Sequence, residues 1–361
     1  MTREGSLKKW DTDGMFDREV ALYEAMRDRG HAVTIVTYGD HSDLHYRDRL
    51  KGIKILCNRY RWPLEKYEAR MPWLFWCIFR KSDLFKTNQT YGGKQALMVA
   101  RKFNKPLIAR CGYMWSEFIK EWKGDKNKSY TESLQLENNL FCGANHVVVT
   151  TDLMKDSILG RMNHLQNHIS VIPNYVVTDV FKIRKNMGKN FDLLFIGRIC
   201  EQKNIEPLLQ ACKKGGWSLK LIGKGPLKNV LSKKYSDSSI MWEDAVPNSD
   251  LPNEINSAKV VVLPSLFEGH PKVLIEAMSC EACIVATSVK GIKEIIQDGK
   301  NGILSSTDSE SLYQNLYQTL SAGEEFRLSI GRNARDFVVS NYALNKIVDI
   351  ELELYKRLLN N

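Results

Sequence analysis

No run of apolar residues in this chain approaches the ~20 needed to span a bilayer as a helix. The opening residues, Met-Thr-Arg-Glu-Gly-Ser, hold none of the apolar core of a secretory leader. Cysteine is thin: eight residues scattered through 361, without the density of a disulfide scaffold. Cys280 and Cys283 make a lone Cys-x-x-Cys with no partner pair, falling across a helix end and the next strand, where packing is the expected use. Reduced thiols and a cytoplasmic location follow as expectations, so the glycosylation triplet Asn88-Gln89-Thr90 is expected to stay unmodified. Short repeats, low-complexity tracts and nucleic-acid-binding motifs are also missing. A membrane-spanning protein and a disulfide-stapled secreted domain drop out on these grounds.

What is present is an ordinary globular composition, 43% hydrophobic and 26% charged, in a chain long enough for two hydrophobic cores. Its charge is unevenly placed. Residues 59–128 hold 16 Lys and Arg against 6 Asp and Glu, a surplus equal to the net charge of +10. The same block holds five of the eight tryptophans: Trp62, Trp73, Trp76, Trp115 and Trp122. Basic residues interleaved with aromatics suit an anionic membrane face, or else a solvated basic surface over an aromatic core. Nucleic acid is not an expected partner.

Apolar spacing predicts a helix over 15–29, stopped by Gly30, then a strand over 31–38 rich in β-branched residues. His31, just ahead of that strand, reads as a turn residue rather than a base. Further strands are predicted at 53–57, 84–87, 106–110, 146–150 and 168–172, and helices at 95–103, 134–142 and 152–159. Residues 59–80 are aromatic and basic without a clean period. After Pro173-Asn174 the alternation sharpens, with strands at 192–196, 219–222, 240–242, 259–263 and 283–286 between helical stretches. A long amphipathic helix closes the chain over 343–359.

This pattern predicts an α/β protein with two Rossmann-like doubly wound parallel-sheet domains, residues 1–173 and 174–339, the first completed by 340–361. A doubly wound domain ordinarily opens on a buried strand that feeds its first glycine turn. Gly5-Ser6 and Gly14 look like that turn, yet only four residues precede Gly5. The first strand is therefore expected to be missing or truncated. Either the recorded start lies inside the true reading frame or the domain lacks a central strand.

Two places carry chemistry. The stretch Leu263–Glu276 follows an apolar strand and places Glu268 in a strand-to-helix loop. Glu276 is expected about two turns into a helix that Pro271 opens, since proline is tolerated in a first turn. Both carboxylates can then line one wall at the carboxyl end of a parallel strand, where open α/β sheets bind ligands, and accept hydrogen bonds from sugar hydroxyls. By spacing alone, two solvated glutamates on a surface helix would serve as well. The second place is the turn after the strand at 192–196, reading Gly197-Arg198 with Glu201, Lys203 and Asn204 behind it. Asn204 is the expected N-cap of the next helix, so that Arg198 and Lys203 flank a helix start. Two cations beside free N–H groups suit a diphosphate. Gly223-Lys224-Gly225-Pro226 closes the following strand and can approach the same ligand.

In this order, the motifs resemble those of the family-4 glycosyltransferases with the GT-B fold, and the resemblance covers the whole C-terminal half. Ile196-Gly197-Arg198 with Lys203 is similar to the family's diphosphate turn, and Gly223-Lys224-Gly225-Pro226 to its second glycine turn. Glu268 through Glu276 is similar to its Glu-x7-Glu motif, followed by Gly291-Ile292-Lys293-Glu294 and Asp298-Gly299. Val171-Ile172-Pro173-Asn174 looks like the interdomain junction, and the tail like the helix that crosses back to the first domain.

The resemblance implies two domains facing a cleft, and transfer from a nucleotide-sugar with retention of configuration, without a cofactor or metal. Arg198 and Lys203 would hold the diphosphate and stabilise its departure, Glu276 the ribose, and Glu268 the sugar hydroxyls near the reacting carbon. Gly197, Gly223, Gly269, His270 and Val273 would line the donor, with Val246 in the loop that touches the base. His270-Pro271 departs from the family's usual Phe-Gly; the ring of His270 would replace a lost backbone donor. Glu281 stands where a helix-ending glycine is usual. No histidine ends the strand at 106–110, so Arg110 and Tyr113, with Gly5, become the acceptor-side candidates. Asp11-Thr12-Asp13 matches the metal-binding Asp-x-Asp of another glycosyltransferase fold only by coincidence. The expected acceptor is a growing glycan or lipid-linked saccharide at the inner membrane face, with residues 59–128 docking there. A GT-B nucleotide-sugar epimerase and a non-catalytic nucleotide-sugar-binding protein remain the alternatives.

Overall fold

The strands of the first half are short. The computed structural model describes residues 2–184 and 187–360. It places β1 at Val33–Val36, β2 at Ile53–Leu56, β3 at Phe85–Lys86, β4 at Leu107–Cys111, β5 at His146–Val149 and β6 at Ile169–Val171. Two compact units divide the chain: unit 1 comprises Met1–Thr12, Glu19–Pro173 and Ile347–Asn361, and unit 2 comprises Asp13–Arg18 and Asn174–Lys346. The hexapeptide Asp13–Arg18 thus groups with unit 2, and the tail joins unit 1 from Ile347 rather than from residue 340.

In unit 1, no strand precedes Val33 among the described residues, and the strands form two separate parallel sheets, β1-β2 and β3-β4-β5-β6. An aromatic cluster joins them. Tyr67, Phe75 and Phe79 pack with Tyr38 and Leu56, and Val36 of β1 and Phe85 of β3 lie against the same group. Tyr67 is wholly buried and donates its phenol to the Thr37 carbonyl at 3.0 Å.

These aromatics stand on two helices, Leu64–Leu74 and Trp76–Lys81, in the stretch where no period was legible. The helices break at Phe75 (φ −115°, ψ 22°), three residues after Pro72, which has no N–H for the helical ladder. One apolar face is therefore spread over two axes, and a single 3.6-residue period cannot describe it. Trp115–Lys123, also unread in the sequence, is a further helix. The tail helix Leu344–Asn360 buries Ile347, Val348, Leu352 and Leu354. Within unit 1 its Glu351 accepts from buried Lys86 at 2.5 Å, and its Asp349 pairs with Arg29 at 2.6 Å.

Unit 2 is built on one six-stranded parallel sheet. Its strands are β7 (Phe191–Ile196), β8 (Leu219–Ile222), β9 (Ile240–Glu243), β10 (Ala258–Leu263), β11 (Cys283–Thr287) and β12 (Ile303–Ser305), in the order β12-β11-β10-β7-β8-β9. The runs Val260–Leu263 and Cys283–Ala286 are almost wholly apolar because helices cover both faces of the sheet. Leu194, Val261 and Ile284 pack toward one helical layer with Leu274, Ile275, Ala277 and Met278. Leu193, Val260 and Val285 pack toward the other with Leu208, Leu209 and Cys212. Strand order reverses between β7 and β10, and the crevice at the carboxyl ends of those two strands is where such sheets bind ligands.

The helix Lys272–Ser279 runs from β10 toward β11 and ends before Glu281, which adopts a left-handed conformation at φ 59°. Such a backbone costs a residue with a Cβ ~1–2 kcal/mol and costs glycine nothing comparable. The neighbouring Arg335 approaches Glu281 only at 3.8 Å, too loosely to offset this. Glu281→Gly is expected to raise unfolding stability by about 1 kcal/mol in denaturant titration, and an unchanged or lower midpoint would remove that account. Cys280 and Cys283 on either side are buried free thiols whose pKa burial pushes up to about 12, as packing residues rather than a redox pair.

Candidate functional site

At the end of β7 two glycine turns interlock. Gly197 N–H donates to Ile222 O at 3.0 Å, and Ile199 N–H to Lys224 O at 2.9 Å. A Cβ on Gly223 would lie 1.9 Å from the Gly197 carbonyl oxygen, so only glycine fits where the turns cross. Arg198 projects from this crossing, exposed, and forms no ion pair or hydrogen bond among the described residues. Lys203 ends the short turn Glu201–Lys203 before the helix Ile205–Gly215.

Asn204 does not cap that helix as expected. It takes a left-handed conformation (φ 49°), and its side chain donates instead to Thr307 O at 2.8 Å. The Asn204 side chain therefore leaves the first N–H groups of the helix uncapped, as an anion site requires.

The loop after β10 is tied to this turn. Leu266 N–H donates to Gln202 O at 2.9 Å, and Gln202 Nε2 to Phe267 O at 3.0 Å. Lys203 Nζ forms an ion pair with Glu268 Oε1, which also accepts from Ser265 Oγ at 2.7 Å. Ser265 is held in turn through its carbonyl by Thr287 Oγ1. Gly269 passes so close to Gly291 that a Cβ there would lie 1.7 Å from the Gly269 carbonyl oxygen. The turn after β7 and the Glu268 loop are thus one braced piece.

His270 is buried beside this loop. Its ring meets Tyr342 edge-on at 4.9 Å, and its carbonyl accepts from Asn174 Nδ2 at 2.6 Å. Val273 is half-buried against the core of unit 2.

Glu276 lies in the second turn of Lys272–Ser279 and is 1% exposed. Its Oε1 accepts from Asn248 Nδ2 at 3.1 Å and lies 3.5 Å from Arg18 Nη1, while Oε2 is buried without a hydrogen-bond partner among the described residues. Asn248 follows Val246, the residue expected to touch the base. Neither Asn248 nor Arg18 was legible as a site residue. Asn248 sits in a loop without pattern, and Arg18 is more than 250 positions from its partner.

Of the acceptor-side candidates, Arg110 lies in buried β4, with Nη1 3.5 Å from Asn88 O. Tyr113 stacks on Phe118 with ring centroids 5.5 Å apart, and burial raises its phenol pKa. Gly5 contributes its carbonyl, accepting from Tyr38 N–H at 2.9 Å. Asp11 is engaged by Arg49 at 2.6 Å and by Tyr46 at 2.9 Å. Among the described residues, no three His, Cys, Asp or Glu side chains gather as a metal-ligand set.

A doubly wound sheet that collects two basic residues and two carboxylates near its switch point has them where such sheets bind ligands. The comparisons place the chain in a family. The model described as Glycosyltransferase Family 4 matches residues 19–180, and that described as Glycosyl transferases group 1 matches residues 190–322. An uncharacterised glycosyltransferase of Methanocaldococcus jannaschii is 27% identical over 379 aligned positions, which take in 93% of this chain and 92% of its own. Among solved structures, sucrose-phosphate synthase of Thermosynechococcus elongatus aligns with a TM-score of 0.79 at 20% identity over 94% of this chain and 92% of its own. HepE of Anabaena, in complex with UDP-glucose, aligns with a TM-score of 0.77 at 15% identity over 94% of each chain. The chain is a family-4 glycosyltransferase with the GT-B fold, and its function is glycosyl transfer.

Proposed function

We propose that the protein transfers a sugar from a nucleoside-diphosphate sugar to a glycan or lipid-linked saccharide with retention of configuration. The observation that carries this reading is the pairing of Lys203 with Glu268 on a braced loop, one helix away from the buried, half-satisfied Glu276. When donor enters, its diphosphate takes Lys203 from Glu268, and Glu268 is released to accept from the sugar hydroxyls. Arg198, Lys203 and the uncapped helix start then face the charge that grows on the diphosphate as the bond to the anomeric carbon breaks. Two cations in that position supply the neutralisation for which other enzymes use a metal. Glu276 offers Oε2 to a ribose hydroxyl. HepE, solved with UDP-glucose, supports a nucleotide-sugar as donor.

Turnover of UDP-, GDP- and ADP-sugars with lipid-linked and free glycan acceptors tests the reading, with the product anomer assigned by NMR. An inverted product overturns retention. Conversion of donor without acceptor would replace transfer by epimerisation.

The membrane side of the reading, a protein working from the cytoplasm at the inner face, rests on the basic aromatic block. Trp73 is 67% exposed, stacks on Trp76 at 5.4 Å and carries Lys102 Nζ 3.2 Å above its ring. Trp122 is 58% exposed on Trp115–Lys123. Exposed indoles beside lysines suit a lipid headgroup layer. No helix among the described residues is long and apolar enough to cross a membrane. Flotation with liposomes containing anionic lipid is expected at low salt, weakening as salt screens the lysines. It is expected to fall in Trp73→Ala and Trp122→Ala, and no flotation at low salt would remove the docking face.

A further inference from the structure

Glu276 poses a problem of charge. A carboxylate 1% exposed has left water, and an unpaired buried charge is costly. Its neighbours are unequal. Asn248 Nδ2 and Arg18 Nη1 both approach Oε1, whereas Oε2 has no hydrogen-bond partner among the described residues. A buried acceptor left open in this way needs an explanation, and a ligand hydroxyl supplies one.

Arg18 comes from a segment far away in the chain, yet three contacts fix that segment within unit 2. Its carbonyl accepts from Tyr175 Oη at 2.6 Å. Four residues earlier, Gly14 (φ +69°) touches the loop expected to hold the base: a Cβ there would lie 2.2 Å from the Val246 carbonyl oxygen. The third contact is the ion pair with Glu276 at 3.5 Å. Gly14 and Arg18 therefore meet the base loop and the ribose carboxylate respectively, and Asn248 bridges from that loop to the same carboxylate.

We propose that Asp13–Arg18 is a built part of the nucleotide subsite and that Arg18 is the positioning residue of Glu276. By holding Oε1 it balances the buried charge and fixes the rotation of the carboxylate, so that Oε2 is the oxygen presented to the ribose. Arg18 acts on the ligand only through Glu276. This deepens the proposed function and rests on its assignment of Glu276 to the ribose.

The experiment measures calorimetric binding of UDP, GDP and ADP, each beside its 2′,3′-dideoxy counterpart, to the wild type, Arg18→Ala and Arg18→Lys. Arg18→Ala is expected to weaken the ribonucleotide that binds by about tenfold, the scale of one hydrogen bond to a charged group, and to leave its dideoxy counterpart unchanged. Arg18→Lys, which keeps the cation, is expected to recover most of the loss. In turnover the effect falls on KM, with kcat nearly unchanged. Equal weakening of both ligands in Arg18→Ala, or none, overturns the positioning role while leaving the ribose site intact. A wild type that does not prefer the ribonucleotide, or binds none of the three, overturns the ribose assignment itself.

Discussion

Lys203→Ala is expected to lower kcat by about 10²–10³-fold, the loss seen when one preorganised partner of a developing charge is removed. On the proposed reading, the reason lies in the partner Lys203 already has. Its ammonium is parked on Glu268, at the end of a turn cross-braced to the Glu268 loop, so its position is already set. Exchanging Glu268 for a phosphate oxygen costs little reorganisation, and the cation is then close to the leaving group. The alanine variant loses that charge, while Glu268 keeps its Ser265 hydrogen bond of 2.7 Å and the braces remain. The Glu268 side chain, 7% exposed, loses its countercharge but keeps that hydrogen bond, so the melting temperature should fall only modestly. Steady-state kinetics with saturating donor separate the outcomes. A kcat within a fewfold of wild type would remove Lys203 from the charge-stabilising role, and a collapsed melting temperature would make it structural.

Gly291→Ala is the second large effect, and it comes from space rather than charge. The added methyl would lie 1.7 Å from the Gly269 carbonyl oxygen and 2.6 Å from that of Glu268. Both obstacles are backbone, so no side chain can swing aside. The loop carrying Glu268 must move, or the turn at Gly291 must. Overpacking of this kind costs about 1–3 kcal/mol, and the displaced carboxylate should remove most transfer activity besides. Gly299→Ala is the control. That glycine lies at φ +70° with nothing within 4 Å of its Cβ position, so it should show only the mild strain of a left-handed alanine and near-normal turnover. Wild-type activity in Gly291→Ala would mean that the loop tolerates displacement and does not set the site.

The strands of unit 2 were legible because buried parallel strands read as short apolar runs, as in Val260–Leu263, with glycine turns marking their ends. The spacing of Glu268 and Glu276, and the turn Gly197-Arg198 with Lys203, were legible for the same reason: each lies within one strand–loop–helix segment. Features set by distant parts of the chain were not. Arg18 reaches Glu276 across the fold, and Asn204 abandons the cap its residue type favours because Thr307 offers a carbonyl. His270 is buried against Tyr342, a neighbour that spacing could not supply. The helices Leu64–Leu74 and Trp76–Lys81 escaped because a break at Phe75 splits their apolar face between two axes.

The crossing of Gly197 and Gly223 bears on how this enzyme can be altered. A Cβ at position 223 is blocked by the Gly197 carbonyl whatever side chain residue 197 carries, and the bonds from Gly197 N–H to Ile222 O and from Ile199 N–H to Lys224 O tie the two turns, so changes in them should couple. A library that varies the turns separately will sample almost only losses. One that exchanges residues 197–204 and 223–227 together, as a cassette, keeps the crossing while changing what surrounds it. The practical unit of diversification is the pair of turns.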